Sequence, residues 1–459
     1  MKVIVVGAGE VGSYVTERLS REGHDVALIE RSGSRAGVLE PELDALVIRG
    51  SGTDPRVLAE AGTDRADLFV AVTSSDETNI VSAMLARQSG AARRIIRVQD
   101  RGLRAAIAGE LKATTSAGGG ANGSANGTDD LLIDPDEETA SAILNLVANP
   151  GVIELESLAG GEIVVVGVRL HPRSPLVGRT LAEVGQHYEP EWPFIFGVIT
   201  RGSETISPRG DHRLEAGDLL RVVCTDATRD ELKTVLGLRR GKLRRVILLG
   251  GGRTAELVAE RLVDRVKKVI IIEGNPRRAA QLADRLARVE VLRGDFTDTD
   301  FLTEIDVGLA DLVVALTGED DANILGCLFA KSSGVGETIT TAHRLSLLPL
   351  LGEIGVDGAL SPRTATANAV LRMARDDVAK VITFLHGDIE VVELEIPPGA
   401  RAADTAIADL HLTKDMLIAA VLSAGQARIA RGPTVVRAGD RVVVLTKPSA
   451  LGEVRGRLI

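Results

Sequence analysis

The chain repeats itself, and this duplication limits the folds open to it more than any other feature. VIVVGAGEVG near the start aligns with VILLGGGRTA in the second half, and the alignment then stays in register. The matched pairs are Gly7/Gly250 and Glu30/Glu273 at an offset of 243 and, after one inserted residue, Gly50/Gly294, Asp76/Asp320, Asn79/Asn323 and Gly90/Gly334 at an offset of 244. A register kept over this distance indicates two copies of one structural unit.

One segment lacks a counterpart in the second copy. Residues 114–130, TTSAGGGANGSANGTDD, show no apolar periodicity, and we expect a flexible insertion there. Beyond it, IDPDEETASAIL aligns with LSPRTATANAVL at an offset of 227. A capping residue, Asp134 or Ser361, precedes a proline in each, which predicts a helix start.

Each copy begins with an aliphatic run, a glycine turn, a helical pattern and a second aliphatic run ending in an acid. Aromatic residues are only 2% of the chain, and aliphatic cores suit parallel sheets. We therefore predict an α/β protein with two Rossmann-like doubly wound parallel-sheet domains, each followed by a small strand-rich α+β C-lobe. The predicted boundaries are 1–150 and 245–380 for the nucleotide-binding N-lobes and 151–238 and 388–459 for the C-lobes, with the basic stretch RRGKLRR (239–245) as a linker.

Net charge, cysteine content and hydrophobicity exclude several classes of function. The net charge of −10 argues against nucleic acid as a partner, because neutralising phosphates needs a positive surface. Cys224 and Cys327 belong to no metal or redox motif, and we expect both to be small buried hydrophobes in a reducing compartment. We also expect no secretory leader. No apolar run approaches the ~18 residues that span a bilayer, so any membrane role has to go through a partner.

The glycine motif Gly7-Ala8-Gly9-Glu10-Val11-Gly12 follows the first strand and opens a helix. The first glycine allows the turn, the second lets a pyrophosphate approach, and the third allows close packing. Phosphates then meet the positive end of the helix. Glu30, at the end of the next strand, can accept both ribose hydroxyls, and its charge disfavours a 2′-phosphate. NAD or a plain adenine nucleotide is therefore favoured over NADP.

The second copy reads Gly250-Gly251-Gly252-Arg253-Thr254-Ala255, with Glu273 as its ribose acid. Arg253 indicates either a triphosphate or second NAD beside it, or an ordinary surface arginine. In both copies the fourth strand leads into residues that line the dinucleotide crevice of a doubly wound sheet. The acidic and amide residues that follow, Asp76, Glu77 and Asn79 with Asp320, Asp321 and Asn323, are equally typical of helix capping.

These motifs carry a family resemblance. GAGEVG, GSGTD, AVTSSDETNI and SPRTATANAVL are similar to the regulator-of-potassium-conductance (RCK) domains, and two such domains in tandem resemble the TrkA family, the cytosolic regulatory subunits of Trk potassium uptake systems. The resemblance implies N-lobes that bind NAD(H) or ATP/ADP and smaller C-lobes. It also implies self-association into dimers or a tetrameric gating ring, and a peripheral position on the inner face of the cell membrane, beneath a membrane potassium transporter.

The family's nucleotide contacts can be transferred by position. In the first copy they are Gly7, Ala8, Gly9, Glu10, Val11, Gly12, Glu30, Thr73, Ser74 and Val98; in the second they are Gly250, Gly251, Gly252, Arg253, Thr254, Glu273, Asp295, Thr317, Gly318 and Ala342. Ser51 stands where the second copy has Asp295, so adenine recognition is expected to differ between copies. No catalytic residue and no metal ligand is predicted.

Alternative functions stay open. An NAD-dependent oxidoreductase would need an acid or base beside the nicotinamide, but the seven histidines share no motif. A sensor could serve another cation transport system or bind a cyclic dinucleotide or a cation at a C-lobe. The second copy could also be a scaffold without ligand. We expect a regulator that is not an enzyme, and the sequence leaves the nucleotide of each copy and the direction of gating undecided.

Overall fold

The computed structural model describes most of the chain, in twelve ranges. These are residues 1–21, 23–111, 114–115, 130–149, 151–172, 174–188, 192–202, 204–238, 243–374, 380–383, 389–447 and 450–459. Contacts group the chain into two compact units, one of residues 1–142 and 361–374 and the other of residues 143–360 and 375–459. Each unit is described by itself.

The first unit contains a seven-stranded parallel sheet. Its strands are β1 Lys2–Val6, β2 Asp25–Glu30, β3 Leu46–Arg49, β4 Leu68–Ala71, β5 Arg93–Arg97, β6 Thr114–Thr115 and β7 Asp130–Ile133. Its helices are α1 Glu10–Arg21, α2 Gly33–Leu39, α3 Pro55–Glu60, α4 Asp76–Ser89 and α5 Arg101–Leu111; α6, Pro135–Ala148, begins in this unit and extends into the other. The strand order β3-β2-β1-β4-β5-β7-β6 is that of a doubly wound sheet, which confirms the predicted fold class.

The aliphatic composition explains why this sheet is buried on both faces. Alternate residues of β1 point into two separate cores: Val3 and Val5 into one, Ile4 and Val6 into the other. A strand buried on both sides needs an unbroken apolar run, which KVIVV supplies.

The predicted insertion at 114–130 is wrong at its ends. Thr114 and Thr115 form β6 and pair with Leu131 and Leu132 of β7, and Asp130 starts β7. The Asp130 carboxylate is fully buried and accepts a hydrogen bond from Nε of Arg94 on β5. A buried, paired carboxylate is what allows this polar segment to join the sheet. The rest of the predicted insertion, residues 116–129, lies outside the described residues.

The second parallel sheet repeats the first. Its strands are β13 Arg245–Leu249, β14 Lys268–Glu273, β15 Glu290–Arg293, β16 Leu312–Ala315, β17 Glu337–Thr341 and β18 Gly358–Leu360, in the order β15-β14-β13-β16-β17-β18. Its helices are α9 Arg253–Leu262, α10 Pro276–Arg285, α11 Thr299–Glu304, α12 Asp320–Ser332 and α13 Leu348–Glu353. The two copies thus share one strand order up to the place where the first has its extra segment.

Two antiparallel sheets account for the strand-rich regions. The first comprises β8 Glu154–Leu158, β9 Ile163–Arg169, β10 Phe194–Arg201, β11 Glu204–Ile206 and β12 Leu219–Thr225, with helices α7 Leu181–Gly185 and α8 Arg229–Leu236. The second comprises β19 Lys380–Thr383, β20 Glu390–Glu395, β22 Met416–Ser423, β23 Gln426–Ile429 and β25 Arg441–Thr446, with helix α15 Leu451–Leu458; β21 Thr405–Ala406 and β24 Val435–Val436 form a small separate pair.

The two antiparallel sheets share a hydrophobic core within the second unit. Its buried members are Leu158, Ala159, Ile163, Val165, Val198, Val223, Ile389, Val391, Ala419, Ala420, Val443 and Leu445. Gly197 of β10 lies so close to the other sheet that a methyl group placed on it would be 2.4 Å from Leu445 Cδ2. The strand-rich regions therefore pack as a pair, which the sequence did not indicate.

Helix α14, Pro362–Ala374, belongs to the first unit although its sequence belongs to the second copy. It packs on α1, and Ala367, Val370 and Leu371 join the core of the first sheet. The predicted cap at its start is wrong, because the buried Ser361 hydroxyl makes no hydrogen bond among the described residues. The cap predicted for α6 is confirmed, since Asp134 Oδ1 accepts from Asp136 N at 3.0 Å.

No helix in the described part of the chain is long and apolar enough to cross a bilayer.

Both cysteines are buried free thiols, as expected. Burial raises the pKa of Cys224 and of Cys327 to about 12. At pH 8 the reactive thiolate is then roughly 10⁻⁴ of each thiol. We predict that a thiol reagent such as DTNB labels neither cysteine in the native protein and both in denaturant. Labelling of the folded chain within minutes would show that one of the cores opens readily.

Candidate nucleotide-binding sites

The turn between the first strand and the first helix has the same geometry in both copies. Gly7 has φ +99° and Gly250 has φ +96°, a conformation that favours glycine. A methyl group on Gly7 would lie 2.8 Å from Thr73 Cγ2, and one on Gly250 would lie 2.7 Å from Thr317 Cγ2. Both turns are therefore pressed against a threonine two residues beyond the fourth strand, and a side chain would fit at neither glycine.

The other two glycines of the first motif differ in their surroundings. Nothing lies within 4 Å of a methyl group placed on Gly9, whereas one placed on Gly12 would lie 1.8 Å from the carbonyl oxygen of Gly7. Gly9 thus leaves space beside the helix start where a phosphate could sit, and Gly12 lets α1 pack against the turn. These are the roles that the motif predicts for its second and third glycines.

Glu30 is fastened to this turn. Its Oε2 accepts a hydrogen bond from the backbone N–H of Ala8 at 2.8 Å, and its Oε1 accepts one from Ser32 N at 2.7 Å. Each carboxylate oxygen can accept a second hydrogen bond. The carboxylate is therefore fixed beside the glycine turn with acceptor capacity left for further hydrogen-bond donors.

The second copy reproduces this arrangement. Glu273 Oε2 accepts from Gly251 N at 2.8 Å and Oε1 from Asn275 N at 2.6 Å. A methyl group on Gly251 would lie 2.7 Å from Glu273 Oε2, so the surroundings of Gly251 are tight, although the first copy has Ala8 at the matched position. Around Gly252 the nearest atom to such a methyl group is 3.8 Å away. Gly252 is thus the open position of the second turn, as Gly9 is of the first.

Asn79 holds the end of the fourth strand and does not cap a helix. Its Oδ1 accepts from Thr73 N at 2.9 Å and from Thr73 Oγ1 at 2.7 Å, and its Nδ2 donates to the carbonyls of Thr73 and Arg97. The matching bonds of the second copy join Asn323 to Thr317 N at 3.0 Å, to Thr317 Oγ1 at 2.6 Å and to the carbonyls of Thr317 and Thr341. Each asparagine is fully buried, so it shapes the crevice from behind.

Asp76 likewise does not cap the helix, which the sequence had left as an alternative. Ser75 caps α4 through its side chain, while Asp76 Oδ2 accepts from the backbone N–H of Gln99 at 2.9 Å and of Asp100 at 2.8 Å. The acid therefore ties the start of α4 to the loop after β5. It fixes two edges of the crevice relative to each other.

Asp320 ties the start of α12 to the loop after β17 in the second copy, and charged side chains lie beside it. It accepts from His343 N at 2.8 Å and from Arg344 N at 2.9 Å, and its carboxylate also faces the two side chains. Burial of Asp320 acts to raise its pKa, but the hydrogen bonds from His343 and Arg344 outweigh burial and hold the pKa below its ordinary value. The second crevice thus has a histidine and an arginine where the first has Gln99 and Asp100.

Two arginines that sequence reasoning missed bind the turns directly. Nε of Arg35 donates to the carbonyl of Ala8, and Nε of Arg278 donates to the carbonyl of Gly251 at 2.8 Å. Arg278 also donates to the buried Glu256 at 2.8 Å. The signal was present in the alignment, because Arg35 and Arg278 occupy matched positions at the offset of 243.

The remaining predicted contacts fall into two groups. Glu10 and Arg253 each begin the helix that follows the turn, Val11 and Thr254 come next in that helix, and Ser74 and Gly318 follow Thr73 and Thr317. Val98 and Ala342 are buried in the cores, so their side chains do not face the crevice. All predicted positions lie at the carboxyl ends of the parallel strands, where doubly wound sheets bind ligands.

Ser51 and Asp295 make the same local turn in spite of their different chemistry. Ser51 Oγ accepts from Thr53 N at 3.2 Å, and Asp295 Oδ1 accepts from Thr297 N at 2.8 Å and Thr297 Oγ1 at 2.7 Å. These hydrogen bonds lower the pKa of Asp295. Asp295 also lines an open cleft, together with Gly274, Arg293, Gly294 and Phe296.

The surroundings of Gly9 and Gly12 generate a prediction. Gly9→Ala should fold normally but weaken adenine-nucleotide binding, because its methyl group enters the open space at the turn. Gly12→Ala should lower the melting temperature, because its methyl group meets the Gly7 carbonyl. Thermal melts and calorimetric titrations with NAD distinguish the two effects. Equal loss of stability in both variants would contradict the assigned roles.

Known domain families match both copies of this chain. The TrkA-N domain family matches residues 3–115 and 246–362, and the TrkA-C domain family matches residues 165–247 and 391–458. The chain is 31% identical over 447 residues to the Trk system potassium uptake protein TrkA homolog of Archaeoglobus fulgidus, covering 97% of each chain.

Two solved structures share its fold. The GsuK channel bound to NAD has a TM-score of 0.60 at 17% identity, over 100% of this chain and 78% of that one. GsuK bound to ADP has a TM-score of 0.50 at 14% identity, over 82% and 69%. With tandem TrkA-N and TrkA-C domains over most of its length and a full-length relative above 30% identity, the chain belongs to the TrkA family.

Proposed function

We propose that this chain is a nucleotide-sensing regulatory subunit that gates a membrane potassium uptake transporter. The observation that carries the proposal is the fastening of Glu30 and Glu273 to two glycine turns of the same geometry. Membership of the TrkA family supplies the transport role, since its relatives are named as potassium uptake proteins. The predicted lobes at 1–150, 151–238, 245–380 and 388–459 are part of the proposal.

The ligands we propose are NAD(H) and ATP or ADP. A phosphate beside Gly9 or Gly252 would meet the N-terminal end of α1 or α9, where backbone N–H groups and the helix dipole favour anions. The ribose hydroxyls would then donate to Glu30 or Glu273. Arg253 begins α9, and we propose that it favours the more highly charged phosphates of ATP or ADP at the second site.

Gating follows from a shift between conformations. A nucleotide changes the equilibrium only by its difference in affinity for two states of the protein. The paired antiparallel sheets are suited to passing such a change on, because one shared core joins regions of both copies. We propose that assembly into dimers or a tetrameric ring places the subunit at the inner face of the membrane, on the transporter.

An oxidoreductase is the alternative from another class. It would need a proton donor or acceptor beside the nicotinamide, and His343, next to the second crevice, is the candidate residue. Its ring Nδ1 lies 3.2 Å from Asp320, and its backbone is held by the same carboxylate, so it serves the loop structure. We therefore propose a regulator without catalysis, and NADH formation with a panel of alcohol and hydroxy-acid substrates would overturn that.

Calorimetry tests the binding sites. We predict that Glu30→Ala and Glu273→Ala each remove one binding event for NAD, NADH, ATP or ADP, or weaken it by at least about tenfold, because two charge-assisted hydrogen bonds to ribose are lost. Glu30→Gln is the matched control, since glutamine keeps the shape of the side chain but accepts fewer hydrogen bonds. Its nucleotide affinity should lie between that of the wild type and that of Glu30→Ala. If the wild type binds none of the four nucleotides, the sensor proposal fails.

A transport assay tests the role. Co-reconstituted with a Trk-type membrane subunit, the wild type should change the rate of Rb⁺ uptake into vesicles when nucleotide is added. The Glu30→Ala, Glu273→Ala double variant should still bind the membrane subunit but lose this response. Uptake that ignores nucleotide in the wild type, with binding intact, would favour a different transport system as partner.

A further inference from the structure

An exposed arginine stands beside the ribose acid in each copy. Arg49 ends β3 and Arg293 ends β15, and in the parallel ladders they lie opposite Glu30 and Glu273. Neither arginine makes a hydrogen bond or an ion pair with any described residue. The two side chains are nevertheless placed differently, and this difference separates the two sites.

In the second copy Arg293 stands at the rim of the open cleft. The cleft lies between the ends of β14 and β15 and is lined by Gly274, Arg293, Gly294, Asp295 and Phe296. Because Glu273 ends β14 directly beside it, an adenosine whose ribose binds Glu273 would place its base in this cleft. The cleft is thus the adenine side of the second site.

In the first copy Arg49 lies across the corresponding region. A methyl group placed on Gly33 would lie 2.4 Å from Cζ of Arg49 and 2.6 Å from its Nε, so the guanidinium rests on the glycine backbone. Gly33 is the first residue of α2, and Arg49 is the last of β3. The Arg49 side chain therefore bridges the loops after β2 and β3. In the second copy the open cleft lies between the two corresponding loops.

At the start of this helix the two copies differ by Gly33 against Pro276. The two residues match at the offset of 243, and each is the first residue of its helix, after the caps Ser32 and Asn275. Proline has ring carbons where Arg49 lies against bare glycine. Arg293 does not lie over Pro276 in this way and instead lines the open cleft.

The Arg49 contact is weakly held. The side chain is exposed, and its guanidinium lies at a helix N-terminus, where a cation is disfavoured. Van der Waals contact with Gly33 is what keeps it there. Displacing the Arg49 side chain therefore costs a ligand little free energy. Closure still lowers the apparent affinity of the site, according to the fraction of molecules in which Arg49 covers it.

We propose that Arg49 acts as a cap on the adenine side of the first nucleotide site, which an adenine nucleotide has to displace, while Pro276 keeps the second site permanently open. The proposal rests on the nucleotide-binding function proposed above. It makes the second site the one that fills first as adenine nucleotide concentration rises, and Gly33 and Pro276 the residues that set the order.

Gly33→Pro in the full-length protein tests the cap directly. Ser32 has φ −74° and ψ 112°, close to the φ −77° and ψ 115° of Asn275, so the backbone already accepts a following proline. With the second site disabled by Glu273→Ala, calorimetry with ADP should show about threefold to tenfold tighter binding at the first site. Arg49→Ala removes the cap without changing the backbone, and it should tighten ADP binding by the same factor.

The reciprocal change is the matched control. With the first site disabled by Glu30→Ala, Pro276→Gly should let Arg293 fold over the cleft and weaken ADP binding severalfold. Adding Arg293→Ala should restore it. The double variant Gly33→Pro, Arg49→Ala should bind ADP no more tightly than either single variant, because the two changes remove the same cap.

The outcomes separate this proposal from the proposed function. If the wild type binds ADP but Gly33→Pro and Arg49→Ala leave the first site unchanged or weaken it, the cap is refuted and the sensor function stands. Weakening by Arg49→Ala alone would mean that Arg49 contacts the bound base, which also refutes the cap. If neither the wild type nor any variant binds ADP, the cap proposal fails, and the sensor function fails with it only if NAD, NADH and ATP do not bind either.

Discussion

The constraint on which both sites depend is a strand that turns into a helix within a few residues. The turn needs a backbone with positive φ at Gly7 and Gly250, and each glycine is pressed against the threonine after the fourth strand. Because that turn points backbone N–H groups at one place, the carboxylate of Glu30 or Glu273 can be fastened there. Asn79 and Asn323 hold the threonines from behind, so the crevice is built before any ligand arrives.

Duplication has preserved this framework while changing the side chains around it. Ser13 of the first copy bonds the Ala8 carbonyl at 3.0 Å, whereas the matched Glu256 pairs with Arg278 at 2.8 Å and Arg285 at 2.7 Å. Paired charges of this kind hold a loop more firmly than a single hydroxyl does. Two sites with the same backbone geometry can therefore differ in charge and rigidity.

Packing makes the two copies depend on each other. Helix α14 of the second copy completes the apolar core of the first sheet, and the two antiparallel sheets bury one another's apolar faces. Separating the copies would expose Ala367, Val370 and Leu371, and free apolar surface of this kind is costly in water. Neither copy is therefore an independently packed domain.

The sequence by itself determined the duplication, the two doubly wound sheets, the glycine turns and the strand-end acids, because each depends on local patterns: aliphatic runs, glycine spacing and an acid at a strand end. It could not decide whether Asp76 and Asn79 cap a helix, since capping and the fastening of distant backbone groups use the same residue types. It also predicted a cap at Ser361, whose hydroxyl makes no hydrogen bond among the described residues. Only the tertiary structure decided where α14 packs, how the antiparallel sheets pair and that Arg49 rests on Gly33. Those contacts join residues far apart in sequence, and their partners are chosen by shape and space that no local pattern records.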